Sequence, residues 1–287
     1  MRIRVSHLTT YRYEKPAASV IQMLRLTPRN HDGQYVARWR IDVSTDCRLD
    51  QHDDAFGNIT HAFTADGPLE EIAILVEGEV ETRDTQGVVR GTVERFPPSL
   101  YLRETALTQS DAAISAFAMT HREGAGGNVL KTLHGMLDQV HAEIGCETAP
   151  ARTAVSAAEA FSVKRGTCQD LTHIFIAASR SLGIPARYIG GYVHREDGAG
   201  DHEAGHETGH ETVHETVHAW AEAFVPDLGW VAFDAAAGMC PTDSYVRVAV
   251  GLDQLGGAPL RGTNYGGAGE VRSVKVRVAQ ASQQTQN

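Results

Sequence analysis

The chain has 287 residues, 42% of them hydrophobic, which is enough for one large core or two modest ones. A formal charge of -10 and a pI near 5.8, with no cluster of Lys and Arg, exclude a nucleic-acid surface. No apolar run suits a membrane span, the N-terminus lacks a signal-peptide pattern, and four cysteines without Cys-x-x-Cys spacing exclude a disulfide framework, so a cytoplasmic location is expected.

Residues 1–95 read as β-rich. Apolar and polar residues alternate at Ile3-Arg-Val5, Trp39-Arg-Ile41-Asp-Val43 and Ile72-Ala-Ile74-Leu-Val76, with a Phe56-Gly57-Asn58 turn between them. This predicts an all-β, sandwich-like N-terminal domain. Arg95-Phe-Pro97-Pro98-Ser99 opens a linker assigned to 96–109.

From about 110 the periodicity changes to that of helices, first at 110–120 and then at 128–144. Val129, Leu133, Met136, Leu137, Val140 and Ile144 share one face of the second. A short helix is expected over 154–163. Thr167 then stands as an N-cap, and Asp170 three residues later completes a Thr-x-x-Asp capping pattern. Leu171, Ile174, Phe175, Ala178 and Leu182 recur at helical spacing until Gly183 and Pro185 end the helix. Cys168 falls at N1 of this helix. Unsatisfied N–H groups and the positive end of the dipole favour a thiolate there, and the same donors can hold an oxyanion.

Strands follow at 186–194 and over Val217-His-Ala-Trp-Ala-Glu-Ala-Phe-Val225. In the latter, His218, Trp220, Glu222 and Phe224 share a face opposite three alanines. Pro226-Asp227-Leu228-Gly229 is a turn, and Trp230 to Asp234 returns. The hairpin is expected to set His218 and Asp234 side by side, the carboxylate on the imidazole Nδ1–H. Val271 to Val278 alternates as a closing strand. Helices gathered on an antiparallel sheet make this second region, 110–287, an α+β core.

The runs RGTCQDLTHIFIAASRSLGIPARYIGGYV and VHAWAEAFVPDLGWVAFD resemble the core of the bacterial transglutaminase-like superfamily, related to papain-type cysteine proteases. RIRVSHLTTYRYEKP, MLRLTPR and DAFGN resemble the β-rich domain that precedes it, and RVAVGLDQLGGAPLRGTNYGGAGE with VKVRV resembles its closing segment. By this resemblance Cys168 is the nucleophile, His218 the general base and then acid, and Asp234 the orienting carboxylate. The activity implied is thiol-dependent acyl transfer on amides, as a cysteine peptidase or amidase acting on a peptide or protein. The alternatives are a transglutaminase with an amine acceptor and a non-catalytic protein-binding module with a vestigial triad. No cofactor is called for. One departure is Asp234-Ala-Ala-Ala, where members commonly continue Asp-Pro-Thr-Asn.

A second departure is a His-rich loop insertion at 197–216. His202, His206, His210 and His214 repeat every four residues into His218, and each overlapping unit reads His-Glu-x-x-His, a zinc-protease pattern. Repetition in register, Gly205 and Gly209, and the lack of apolar periodicity argue against a catalytic zinc helix and for a solvated loop whose histidines capture metal adventitiously.

Cys47, Cys146 and Cys240 are expected to be packing or surface residues. Asp170 and His173 point away from the thiol on their helix, so capping and helix-to-sheet hydrogen bonds are expected of them. Trp220 and Tyr192 line the cleft or fill core. Gly251 to Gly269 lacks the context of a phosphate loop.

Overall fold

The computed structural model describes residues 1–147, 154–195 and 217–281. In chain order its elements are β1 (Arg2–Thr27), β2 (Gln34–Val43), β3 (Asp50–Asp53), β4 (Ile59–Thr82) and β5 (Val88–Val89), then a 3-10 turn, Pro98–Leu102. Next come α1 (Ala112–Gly124), α2 (Val129–Glu143), β6 (Gly145–Cys146), α3 (Ala157–Val163), β7 (Arg165–Gly166) and α4 (Cys168–Ser181). The chain closes with β8 (Ala186–Val193), β9 (Val217–Val225), β10 (Gly229–Phe233), β11 (Tyr245–Gly251), β12 (Leu260–Tyr265) and β13 (Ala268–Gln280).

The expected N-terminal β region is one six-stranded sheet of order β12-β1-β4-β2, with β13 on β1 and β3 on β4. Its two long strands change register between Arg12 and Ser19. Beyond this corner Val20, Leu24 and Phe63 share one apolar core with Tyr11, Ile72 and Ile74 from before it, so the bent sheet packs on itself in sandwich fashion. Gly67 sits at the corner because a Cβ there would lie 2.1 Å from the Ala17 carbonyl oxygen.

The core is α+β, with a five-stranded antiparallel sheet of order β11-β8-β9-β10-β5. Ala219, Ala221 and Ala223 form its flat inner face, where α4 lies close. Helices α1, α2 and α3 cover the rest of α4, so Leu171 to Arg180 are buried without a break. The amphipathic pattern therefore understates the helix, which is the centre of the core.

The two regions interlock more than their composition suggests. The closing strand expected within the core instead pairs with β1 along Ile3 to Lys15, beside β12. Long-range pairing of this kind leaves no local pattern, because Val274, Val276 and Val278 alternate the same way against any sheet. From the other direction, β5 leaves the N-terminal region to pair with β10. The expected linker is likewise docked, with Tyr101 buried edge-on against Trp230 and its carbonyl accepting from Arg180 Nε. Among the described residues no helix is long and apolar enough to cross a membrane.

A buried ion network crosses the same boundary. Glu222 accepts from Arg187 Nε at 2.7 Å and from Arg247 Nε at 2.7 Å, while Arg187 also forks onto Glu94 and stacks 3.9 Å from the Trp230 ring centre. The backbone of Arg247 exchanges two hydrogen bonds with the Gln34 side chain at the start of β2. Burial disfavours the Glu222 charge, but the two guanidinium groups outweigh it and hold the carboxyl down at about 2.

Candidate active site

Helix α4 starts as its capping box predicts. Thr167 N–H donates to Asp170 Oδ2 at 2.8 Å, and Asp170 N–H donates to Thr167 Oγ1 at 3.4 Å. The first intrahelical bond runs from Leu171 N–H to the Thr167 carbonyl, so the helix itself uses neither the Cys168 nor the Gln169 N–H. Cys168 is half-buried at this end, and its thiol donates to Gln169 Oε1 at 3.3 Å.

The sheet brings the histidine to the same place. His218 is the second residue of β9, 4% exposed, opposite Gly191 of β8. A side chain at Gly191 would meet the Val246 carbonyl oxygen at 2.1 Å and the Trp220 ring at 2.7 Å, so glycine leaves room for the indole that stacks beside the imidazole.

Asp234 lies just past β10 with no solvent exposure, and its Oδ2 is 2.5 Å from His218 Nε2. The register corrects two expectations. Val225 pairs with Gly229 across a three-residue turn whose middle residue, Asp227, has φ +68°. The loop is therefore Pro226 to Leu228, with Gly229 already in β10, and His218 lies diagonally across from Asp234 on the same face rather than directly beside it, within reach of long side chains. The carboxylate also binds Nε2 of the ring, leaving Nδ1 as the nitrogen available to the thiol.

Asp234 is held from all sides. Its Oδ1 accepts from Ala236 N–H at 3.0 Å and Ala237 N–H at 3.1 Å, and its Oδ2 accepts from the Tyr245 hydroxyl at 2.7 Å. The Ala-Ala-Ala departure thus keeps what the carboxylate needs, since the donors are main-chain groups. Burial opposes the Asp234 charge, but His218 and these donors hold the carboxyl below its usual range. For His218 burial again opposes charge, whereas the Asp234 bond first and the Cys168 thiol next raise the imidazole to about 9. The structure thus brings Cys168, His218 and Asp234 to one point.

The other flagged residues lie outside this trio. His173 is fully buried and accepts the Gln254 N–H at 3.0 Å, a contact to the loop after β11 rather than to a strand. Burial pushes it down to about 4. Tyr192 turns the other way and pairs with His7 Nδ1 at 2.9 Å between the two regions. Trp220 fills core between His218 and Tyr245, and it borders a cleft of about 410 Å³ that Tyr245, Glu222 and Arg247 also line. Cys47 and Cys240 pack against core, while Cys146 is exposed. His202, His206, His210 and His214 lie outside the described residues. Among those described, no three His, Cys, Asp or Glu side chains cluster as a metal site.

Sequence reasoning missed Tyr245 and the Arg187–Glu222–Arg247 network. A usable signal existed for the network, because Arg187 and Glu222 are single charges inside otherwise apolar strands and must find each other or another partner.

A helix that begins at a cysteine and lies on an antiparallel sheet bearing a histidine defines a papain-like cysteine protease architecture. Residues 3–81 match the bacterial transglutaminase-like N-terminal region, and residues 122–235 match the transglutaminase-like superfamily core. The chain thus carries a bacterial transglutaminase-like N-terminal region followed by a transglutaminase-like superfamily core. An uncharacterized Mycobacterium leprae protein is 29% identical over 283 residues, covering 93% of this chain and 94% of that one. An uncharacterized Mycobacterium tuberculosis protein is 24% identical over 294 residues, with 92% and 88% covered. A solved structure from Cytophaga hutchinsonii, named as a candidate cysteine protease, matches with a TM-score of 0.72 at 17% identity, over 100% of this chain and 92% of that one. At that identity the likeness concerns the fold.

Proposed function

We propose that the protein is a cysteine-dependent peptidase or amidase in which Cys168, His218 and Asp234 act as nucleophile, acid–base and orienting carboxylate. The observation that carries this reading is the imidazole shared between the Cys168 thiol and a fully buried, four-times hydrogen-bonded Asp234. An imidazole that keeps its proton to about pH 9 sits beside a sulfur at a helix N-terminus, and both positive ends favour the thiolate.

The thiolate attacks an amide carbonyl, and the N–H groups of Cys168 and Gln169 face the oxyanion that forms. His218 gives its proton to the leaving amine as the C–N bond breaks, which leaves a thioester on Cys168. The neutral imidazole then takes a proton from water, the hydroxide oxygen bonds to the acyl carbon, and the thiolate departs. A primary amine in place of water would make the same site a transglutaminase.

Incubating the protein with glutamine-containing peptides and a fluorescent primary amine separates the readings by mass. Free acid in a Cys168-dependent reaction supports the hydrolase. Amine incorporation assigns transfer instead, and no acyl chemistry with any peptide in wild type returns the protein to a binding role.

A further inference from the structure

Two-residue strands β6 and β7 form a parallel ladder that pairs Gly145 with Arg165 and Cys146 with Gly166. It is extended by a 2.7 Å bond from Glu147 N–H to the Gly166 carbonyl. Cys146 is thus the direct neighbour of the residue two positions before Cys168. Opposed residues in a ladder project to the same side. The side to which Gly166 projects is known, because a Cβ built on it would lie 2.7 Å from Asp170 Cβ, in the first turn of α4. The Cys146 side chain therefore projects toward the turn that carries Cys168, while the residue stays exposed. Electrostatics agree with this placement. Desolvation first, then the charges of Cys168 and Asp234, push the Cys146 thiol up to about 11, with Arg195 opposing.

We propose that Cys146 is a resolving cysteine, which captures Cys168 as a reversible disulfide when the nucleophile is oxidised by a hydroperoxide. The proposal rests on Cys168 being the activated nucleophile. Its thiolate attacks one oxygen of hydrogen peroxide, the O–O bond breaks, hydroxide leaves, and Cys168 becomes a sulfenic acid. The Cys146 sulfur then attacks the Cys168 sulfur. The S–S bond forms as the S–O bond breaks, and the Cys146 proton leaves with the hydroxyl as water. The two thiols have lost two electrons to one peroxide.

The pair is asymmetric in the way such a device needs. Cys168 sits beside the imidazolium and the helix N-terminus, so peroxide finds it first. Cys146 remains a protonated thiol and does not compete with Cys168 for acyl substrates. His218, protonated beside Cys168, can give its proton to the departing hydroxyl and recover one from the incoming Cys146 thiol, so the water that leaves carries the net proton of Cys146. The two-residue ladder is a small structure to shift, and a disulfide needs the two Cα atoms within about 7 Å. Cys47 packs in the N-terminal sheet, and the Cys240 side chain lies against Gly87.

The test needs no substrate. Wild-type protein and Cys146→Ser are first labelled with iodoacetamide at neutral pH, to establish that Cys168 is the fast-reacting thiol in both. Loss of that selectivity overturns the nucleophile reading, and the resolving proposal with it. Fresh samples then receive stoichiometric hydrogen peroxide, followed by peptide mapping without and with dithiothreitol. The expected wild-type result is a Cys146–Cys168 linked peptide, lighter by about 2 Da than the two free peptides, with Cys168 labelling lost and then restored by reductant. In Cys146→Ser, Cys168 should instead progress to a sulfinic acid, heavier by about 32 Da, which reductant does not restore. The proposal is overturned if Cys168 labels fast but over-oxidises equally in both proteins, or links to Cys47 or Cys240.

Discussion

His218 Nε2 and Asp234 Oδ2 stand 2.5 Å apart across a hairpin diagonal, with the carboxylate at zero exposure and three further donors on it. A carboxylate so fully satisfied stays ionised in the interior, and the imidazole it faces stays protonated. Replacing the charge while keeping the shape tests this directly. Asp234→Asn should lower the pH at which His218 loses its proton from about 9 toward the ordinary value of 6.5, read by NMR titration of the ring. Any acyl-transfer rate should fall by about 10²-fold or more.

Tyr245→Phe removes one of the four hydrogen bonds and leaves the charge. Loss of a bond to an ionised group costs about 1.5–3 kcal/mol, so the melting temperature should drop while His218 still titrates well above its ordinary value. The rate should fall by only about tenfold, far less than in Asp234→Asn. Equal losses in the two variants would mean that geometry rather than charge is what Asp234 supplies.

The acid limb of stability has identifiable sources. Burial lowers His7, His31 and His173 each to about 4 from 6.5. Their folded-state values lie below the unfolded one, so the stability they carry is present above pH 6.5 and is lost as pH falls toward 4. Glu222 acts lower still, between its unfolded value of 4.5 and about 2. His173→Gln retains an acceptor for the Gln254 N–H and no longer titrates. Its melting temperature should therefore fall less steeply between pH 7 and pH 4 than that of wild type, and parallel curves would remove His173 from this account.

Gly191 is a steric prediction. In Gly191→Ala the new methyl meets a main-chain oxygen at 2.1 Å, which has no flexible end to move, and the Trp220 ring. Overpacking of this kind costs about 1–3 kcal/mol or more, and displacing Trp220 also loosens the ring stacked on His218. Lower stability with an altered tryptophan fluorescence spectrum is the expected result. Glu222→Gln, by contrast, leaves the backbone alone and removes the carboxylate charge shared by Arg247 and Arg187, of which Arg187 keeps Glu94, costing about 3 kcal/mol by chemical denaturation.

What the sequence disclosed follows the range of the interactions. Thr167 and Asp170 announce the start of α4 because a capping box closes within four residues, and the Pro226–Gly229 turn announces the hairpin for the same reason. Tyr245 carried no such mark, since it reaches Asp234 from β11 through tertiary packing alone. The destination of β13 was hidden likewise, because an alternating strand fits either sheet. Cys146 reads in the sequence only as a packing or surface residue, because a two-residue parallel ladder has no periodicity to place it beside α4. The turn after Asp234 misled in the opposite sense. Its side chains depart from the superfamily pattern, yet the carboxylate is served by the N–H groups of Ala236 and Ala237, which any non-proline residue supplies.

The central claim is an activated thiol at the N-terminus of α4, and the rate of Cys168 alkylation by iodoacetamide at pH 7 tests it most directly, read by peptide mass in wild type, His218→Ala and Asp234→Asn. Wild-type Cys168 should react about tenfold or more faster than free cysteine in the same buffer, and removing the His218 imidazole should abolish that advantage. A wild-type Cys168 that reacts no faster than free cysteine, and at the same rate as in His218→Ala, would contradict it.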